Sequence, residues 1–105
     1  MNILVVEDDR RVADFLERGL RAEGHRVQVA RTGPEGLEAA QRLHRERQAG
    51  DPPTVVLLDV MLPGLSGLEV CQSLRAARVG LPVLMLTALS AVRTGSRAFA
   101  PAPTT

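Results

Sequence analysis

Four short segments with strand character alternate along this chain with three segments of helical periodicity. Apolar runs occur at residues 3–6, 55–58 and 81–86, and residues 27–29 alternate apolar and polar side chains. All four are too short to be helices, and near-continuous apolar runs are typical of strands in a buried parallel sheet. Alternation of such strands with helices predicts right-handed βαβ units. We therefore expect an α/β fold in which helices cover a parallel sheet.

The run at residues 55–58 is the predicted centre of that sheet. Pro53 and Pro63 bound it, and we expect a fully buried strand that ends at Asp59. The carboxyl ends of parallel strands form the edge of the sheet where ligands bind. A single Asp at such a place is usually a helix cap or a turn former. Here the acidic residues 7–9 end another apolar run in the same way, which favours a shared site.

Local signals place the helices between these strands. The first helix is expected to begin after Asp9, which can cap it, and to end at Gly24 in a left-handed cap. A second helix is predicted to begin at Thr32 with a capping-box partner at Glu35, and Ser66 is expected to cap a third. Four apolar residues of the first helix are predicted to share one face: Val12, Phe15, Leu16 and Leu20.

Four polar side chains follow the strands: Glu7 and Asp8 after the first, Asp59 after the third and Thr87 after the fourth. If the first and third strands are neighbours, the carboxylates lie close together, and protons or a cation must neutralise part of their charge. Oxygen ligands without His or Cys favour Mg²⁺. A carboxylate beside such an ion can act as a nucleophile toward phosphorus, and a hydroxyl can bond the phosphoryl oxygens. The alternative is that Asp9 and Asp59 are caps and Glu7 is solvated.

Composition narrows the class of protein. A chain of 105 residues forms one domain at most, and its net charge of +1 does not by itself imply a polyelectrolyte partner. With an aromatic content of 2%, a base-stacking nucleic-acid surface is not expected. Cys71 is the single cysteine, and neither a signal peptide nor a run of membrane-spanning length occurs in the sequence. We therefore expect a cytoplasmic protein without a membrane partner.

The motifs ILVVEDD, LLDVMLPGLSGLEV and LPVLMLTA occur in this order. They resemble the receiver domain of bacterial two-component response regulators, particularly the group fused to winged-helix DNA-binding domains. The resemblance covers residues 2–92 and implies a flavodoxin-like (receiver) three-layer sandwich with parallel sheet order 2-1-3-4-5. It also implies a signalling module rather than an enzyme, which accepts a phosphoryl group from a sensor histidine kinase. A flavodoxin-type cofactor protein is disfavoured because acids replace the phosphate-binding loop after the first strand.

Site roles carried over from this resemblance concern five residues. Asp59 matches the phosphoacceptor, Asp8 the direct Mg²⁺ ligand, and Glu7 the second acidic residue of the metal site. The backbone carbonyl of Met61 matches a further ligand. Thr87 matches the hydroxyl that follows the phosphoryl group during switching.

The sequence departs from the family after residue 92. Receivers continue with a fourth helix, a fifth strand that carries a lysine, and a fifth helix, whereas this sequence contains no lysine. We therefore expect an incomplete receiver at residues 1–92, with sheet order 2-1-3-4 and without the fifth strand, the last helix and most of the dimerisation surface. Residues 93–105 are expected to be unstructured. No DNA-binding domain is expected in this chain, and the alternative function is a truncated, non-signalling fragment.

The origin of residues 93–105 is a hypothesis. If they are written in GC-rich codons and read with one added base, they encode Glu-Asp-Arg-Val-Ala-Gly-Leu-Arg-Ala-Gly-Ala-Asp-Asp. That peptide resembles the fourth helix and following turn of the family. A single-base deletion after the Val92 codon would therefore produce this chain, and resequencing of the coding DNA tests the idea.

Overall fold

The computed structural model describes residues 1–86 of the chain, in which four parallel strands form one sheet flanked by three helices. The order of the strands is β2-β1-β3-β4. This confirms the predicted α/β fold and the order 2-1-3-4. Thr87 and the predicted tail at residues 93–105 lie outside the described residues. The elements are β1 Asn2–Val6, α1 Arg10–Ala22, β2 Arg26–Ala30, α2 Gly33–Glu46, β3 Thr54–Leu58, α3 Gly67–Ala76 and β4 Val83–Met85.

The main core lies between the sheet and the pair of helices α2 and α3. Alternate residues of β1 and β3 point to this side, and small residues of α2 let that helix lie close to the strands. Leu74 of α3 is also fully buried here. The strands and helices contribute Leu4, Val6, Val56, Leu58, Ala39, Ala40 and Val70 to this core.

The opposite face of the sheet is only half covered among the described residues. Helix α1 packs mainly on β1 and β2. Val5 is fully buried there, but Leu57 of β3 is half-buried and its neighbour Leu84 of β4 is 59% exposed. The expectation of a fully buried central strand is therefore wrong for its second face, because no described helix packs over that half of the sheet.

The predicted apolar face of α1 is also wrong in part. Ala13 is buried against the sheet and Leu16 is half-buried, but Phe15 is 73% exposed. Phe15 lies two residues from Ala13, which places it about 200° around the helix, on the side away from the sheet. The apolar face is therefore centred on Ala13, and Phe15 does not belong to it.

The predicted helix ends are largely confirmed. Asp9 Oδ1 accepts hydrogen bonds from the backbone amides of Arg11 and Val12 at 2.9 and 3.2 Å, and Gly24 has a φ of 92°. The Ser66 capping box is complete, with both reciprocal bonds present.

The capping pair at the start of α2 is only half formed. Thr32 Oγ1 accepts a hydrogen bond from the amide of Glu35, but the Glu35 side chain accepts from the amide of Arg31 instead of that of Thr32. Strand β4 is also shorter than the predicted run at residues 81–86.

Candidate metal centre

The sheet brings three carboxylates together at the carboxyl ends of β1 and β3. Val6 and Leu58 are partners in the parallel ladder, so the residues that follow them emerge side by side. Glu7, Asp8 and Asp59 each offer an oxygen, and these oxygens lie within 4.8 Å of one another. The predicted convergence of the three acids is therefore confirmed, and the alternative in which Glu7 is solvated is wrong.

Burial divides the three acids into two classes. Glu7 and Asp59 are 0% exposed, whereas Asp8 lies on the surface. Asp59 is tied to β1 through its own amide, which donates to the carbonyl of Val6 at 3.0 Å. The site therefore has a buried floor formed by two carboxylates and an exposed acid that faces solvent.

Backbone amides hold the two buried carboxylates. Glu7 Oε2 accepts a hydrogen bond from the amide of Asp9 at 2.9 Å. Asp59 Oδ1 accepts one from the amide of Met61 at 3.2 Å. Because both donors belong to the loops that leave the strands, the orientation of each carboxylate depends on the position of its loop.

The adjacent acids Asp8 and Asp9 have different roles. Asp9 caps α1 through its side chain and is not part of the carboxylate cluster, whereas Asp8 is. The capping function that the sequence predicts for Asp9 is therefore confirmed. Two of the predicted site residues remain predictions: Thr87 lies outside the described residues, and for Met61 the structure describes its amide bond to Asp59 and a side chain 66% exposed.

The donor set fits a hard divalent cation. The cluster offers only carboxylate oxygens, which are the ligands that Mg²⁺ prefers, and Mg²⁺ commonly keeps several waters. Asp8 provides an exposed side through which those waters can reach the ion. Three acids within 4.8 Å of one another also repel, and a cation between them would relieve that repulsion.

Sequence reasoning missed the glycine at residue 67, which lets the start of α3 lie close to the backbone of Asp59. A Cβ added at Gly67 would overlap the carbonyl oxygen of Asp59 and would lie 2.8 Å from the Cα of Val60. The amide of Gly67 also donates to the carbonyl of Val60 at 2.8 Å. The Ser-Gly pair at the start of α3 is the only sequence signal for this contact, and it reads equally well as an ordinary helix start.

Comparison with known proteins decides the family. The family model described as the response regulator receiver domain matches residues 3–102. This chain belongs to the response regulator receiver family. The match extends into the predicted tail, and the domain boundary at residue 92 remains a prediction.

Similar proteins agree with this assignment. Response regulator MprA of Mycobacterium avium is 45% identical over 92 residues, which are 88% of this chain and 37% of the relative. The same name belongs to a Mycobacterium bovis relative that is 44% identical over 92 residues, 88% of this chain and 36% of the relative. This receiver therefore spans little more than a third of the length of the curated relatives that it matches.

Solved structures show the same fold. Response regulator TrrA of Thermotoga maritima, in complex with Mg²⁺ and BeF, has a TM-score of 0.69 and 32% identity, covering 89% of this chain and 74% of that one. The receiver domain of a modulated diguanylate cyclase from Desulfovibrio desulfuricans has a TM-score of 0.67 and 33% identity, covering 97% and 76%. The flavodoxin-like order of the strands is therefore that of a receiver domain of two-component systems.

No helix within residues 1–86 combines the length and the apolar character needed to cross a bilayer.

Proposed function

We propose that this receiver accepts a phosphoryl group on Asp59 with Mg²⁺ bound at Glu7, Asp8 and Asp59. One observation carries the proposal: a fully buried carboxylate at the end of β3 lies within 4.8 Å of two further acids at the end of β1. Two buried carboxylates close to a third acid are costly without a cation, and this arrangement suits nucleophilic attack on a phosphoryl group that a cation can bridge.

The proposed chemistry is a phosphoryl transfer to a carboxylate. An oxygen of Asp59 forms a bond to phosphorus while the bond between phosphorus and the donor atom breaks. The donor is the imidazole nitrogen of a phosphohistidine on a sensor histidine kinase, and that nitrogen keeps the electron pair. The product is an aspartyl phosphate on Asp59 and a neutral histidine on the kinase.

Residues of this chain prepare the nucleophile. The amide of Met61 holds one oxygen of Asp59, so the carboxylate has a defined orientation before a donor arrives. Glu7 and Asp8 would hold the cation, with the carbonyl of Met61 as a proposed further ligand. A bound Mg²⁺ would neutralise charge on the phosphoryl oxygens. The hydroxyl of Thr87 is the proposed hydrogen-bond donor to the phosphoryl group.

The proposed setting is a cytoplasmic two-component system. A sensor histidine kinase is the proposed partner, because receivers are the acceptors of such kinases. Since the curated relatives are response regulators of more than twice this length, we propose that the parent type carries a DNA-binding output domain and regulates transcription.

A second candidate function rests on composition. The 105 residues contain no lysine, although the activated state that the resemblance implies uses one. A chain limited to these residues would bind Mg²⁺ or the kinase without passing the signal on.

Acetyl phosphate labelling tests both candidates. The purified chain is incubated with Mg²⁺ and acetyl phosphate and its intact mass is measured, beside Asp59→Asn and the control Asp14→Asn, which alters an exposed acid of α1. One phosphoryl adduct on the parent and on the control, with none on the Asp59 variant, supports the receiver chemistry. A folded parent that takes no adduct would favour the non-signalling fragment.

A further inference from the structure

The loop between β3 and α3, residues 60–66, carries the backbone amide that donates a hydrogen bond to Asp59. Its second residue is Met61, whose amide donates to Asp59 Oδ1 at 3.2 Å. Two local restraints hold the loop: the amide of Gly67 donates to the carbonyl of Val60, and the capping box joins Ser66 to Glu69. Both restraints act at the ends of the loop, at Val60 and at Ser66 and Gly67.

The first turn of α2 lies against Gly64 and Leu65, in the second half of this loop. A Cβ added at Gly33 would overlap the carbonyl oxygen of Leu65 and would lie 2.7 Å from its Cβ and 2.9 Å from its carbonyl carbon. Pro34 continues the contact, since its Cδ would lie 3.5 Å from a Cβ added at Gly64. Gly33 is not among the glycines with positive φ, so its backbone conformation suits any residue. The requirement for glycine at residue 33 therefore comes from the close approach to Leu65.

We infer that Gly33 is a positioning residue for Asp59, an inference that rests on the proposed function of Asp59 as the phosphoacceptor. Gly33 lets the start of α2 pack against the carbonyl of Leu65, and this contact restrains the second half of the loop that carries the Met61 amide. The start of α2 thereby sets the orientation of the Asp59 carboxylate, although Gly33 belongs to a different βαβ unit.

The loop, rather than α2, yields when this contact is enlarged. Ala39 and Ala40 of α2 are 4% and 0% exposed in the main core, so an outward shift of the helix would open that core. The loop is more exposed, and Gly64 within it has a φ of 84°, so the chain there reverses direction sharply. The Met61 bond is already at the long end of the usual range for an amide donor. A small displacement of the loop is therefore enough to lose it.

The test compares Gly33→Ala with the parent in the full 105-residue chain. The first readout is the Met61 amide in nitrogen-15 NMR spectra, namely its chemical shift and its rate of hydrogen exchange, recorded without and with Mg²⁺. The second readout is the rate of acetyl phosphate labelling. We expect the Met61 amide to shift and to exchange faster in the variant, and labelling to slow by about tenfold, as misplacement of a reacting group does.

Two control variants separate positioning from loss of stability. Val79→Ala removes volume from a 4% exposed side chain near the amino end of β4, far from the loop, and lowers the stability of the whole domain. Gly19→Ala places a methyl group on α1 where no atom lies within 4 Å. Both are expected to leave the Met61 amide and the labelling rate of the folded fraction unchanged. Should Gly33→Ala fail to fold, Pro34→Ala loosens the same contact without a clash and should speed exchange of the Met61 amide.

Each outcome decides the inference. A Gly33→Ala chain whose Met61 amide and labelling rate equal those of the parent overturns it, because the local restraints then suffice. Equal slowing in Gly33→Ala and Val79→Ala also overturns it, since the effect would follow stability alone. A parent that takes no phosphoryl group contradicts the proposed function instead, and the Met61 amide still shows whether Gly33 positions the loop.

Discussion

The amide of Asp59 donates to the carbonyl of Val6 at 3.0 Å, and this bond closes the β1–β3 ladder at the edge of the sheet. Because the ladder is parallel and in register, the residues after Val6 and Leu58 leave the sheet next to each other. Glu7 and Asp59 thereby share a buried site that neither strand could form alone. The carboxylate cluster is thus a direct consequence of the strand order.

Asp59→Asn is expected to stabilise the chain in the absence of Mg²⁺. The substitution removes one negative charge from three acids within 4.8 Å of one another while its side-chain oxygen can still accept from Met61. The gain in free energy of unfolding should be about 1–3 kcal/mol. Urea unfolding in the presence of a chelator measures it. A gain that persists undiminished at saturating Mg²⁺ would contradict the electrostatic explanation.

Mg²⁺ is expected to raise the stability of the parent in a saturable way. A ligand that binds only the folded state at a hundred times its Kd adds about 2.7 kcal/mol. Glu7→Gln should weaken this response because it replaces a fully buried carboxylate of the cluster. Thermal unfolding across a Mg²⁺ titration measures the effect. Asp14→Asn, which alters an exposed acid of α1 outside the cluster, is the control. Identical Mg²⁺ responses in parent and Glu7→Gln would remove Glu7 from the site.

The sequence predicts those features that follow from local pattern plus a parallel sheet. Short apolar runs give the strands, and acids that end two neighbouring strands must meet at one edge, so Glu7, Asp8 and Asp59 could be predicted together. The direction of Phe15 could not, because it depends on how α1 is rotated against the sheet. The approach of Gly33 to Leu65 joins the start of α2 to a loop far from it in sequence, and a glycine at the start of a helix gives no sign of such a contact.

Asp8 and Asp9 are expected to separate metal binding from helix stability. Asp9→Ala removes the side-chain acceptor for the amides of Arg11 and Val12 and should cost about 0.5–2 kcal/mol, with Mg²⁺ affinity unchanged. Asp8→Asn should lower the Mg²⁺ affinity and leave the free energy of unfolding nearly unchanged, because Asp8 is exposed and belongs to the cluster. Urea unfolding and calorimetric Mg²⁺ titration of the two variants provide the comparison. Loss of Mg²⁺ affinity in Asp9→Ala at unchanged stability would reverse the two assignments.

The face of the sheet that is only half covered among residues 1–86 is expected to limit solubility. Leu84 is 59% exposed on the face that α1 leaves open, and Phe15 is 73% exposed on α1 itself. Exposed apolar side chains and a short edge strand favour self-association. Leu84→Thr keeps the preference for a strand and should reduce light scattering at high concentration, while stability changes by only about 0.5 kcal/mol.

Leu58→Ala, a fully buried matched control, should instead cost about 2–5 kcal/mol and increase scattering. If Leu84→Thr lowers stability as much as Leu58→Ala does, then Leu84 is packed against another part of the chain and the face is covered in solution.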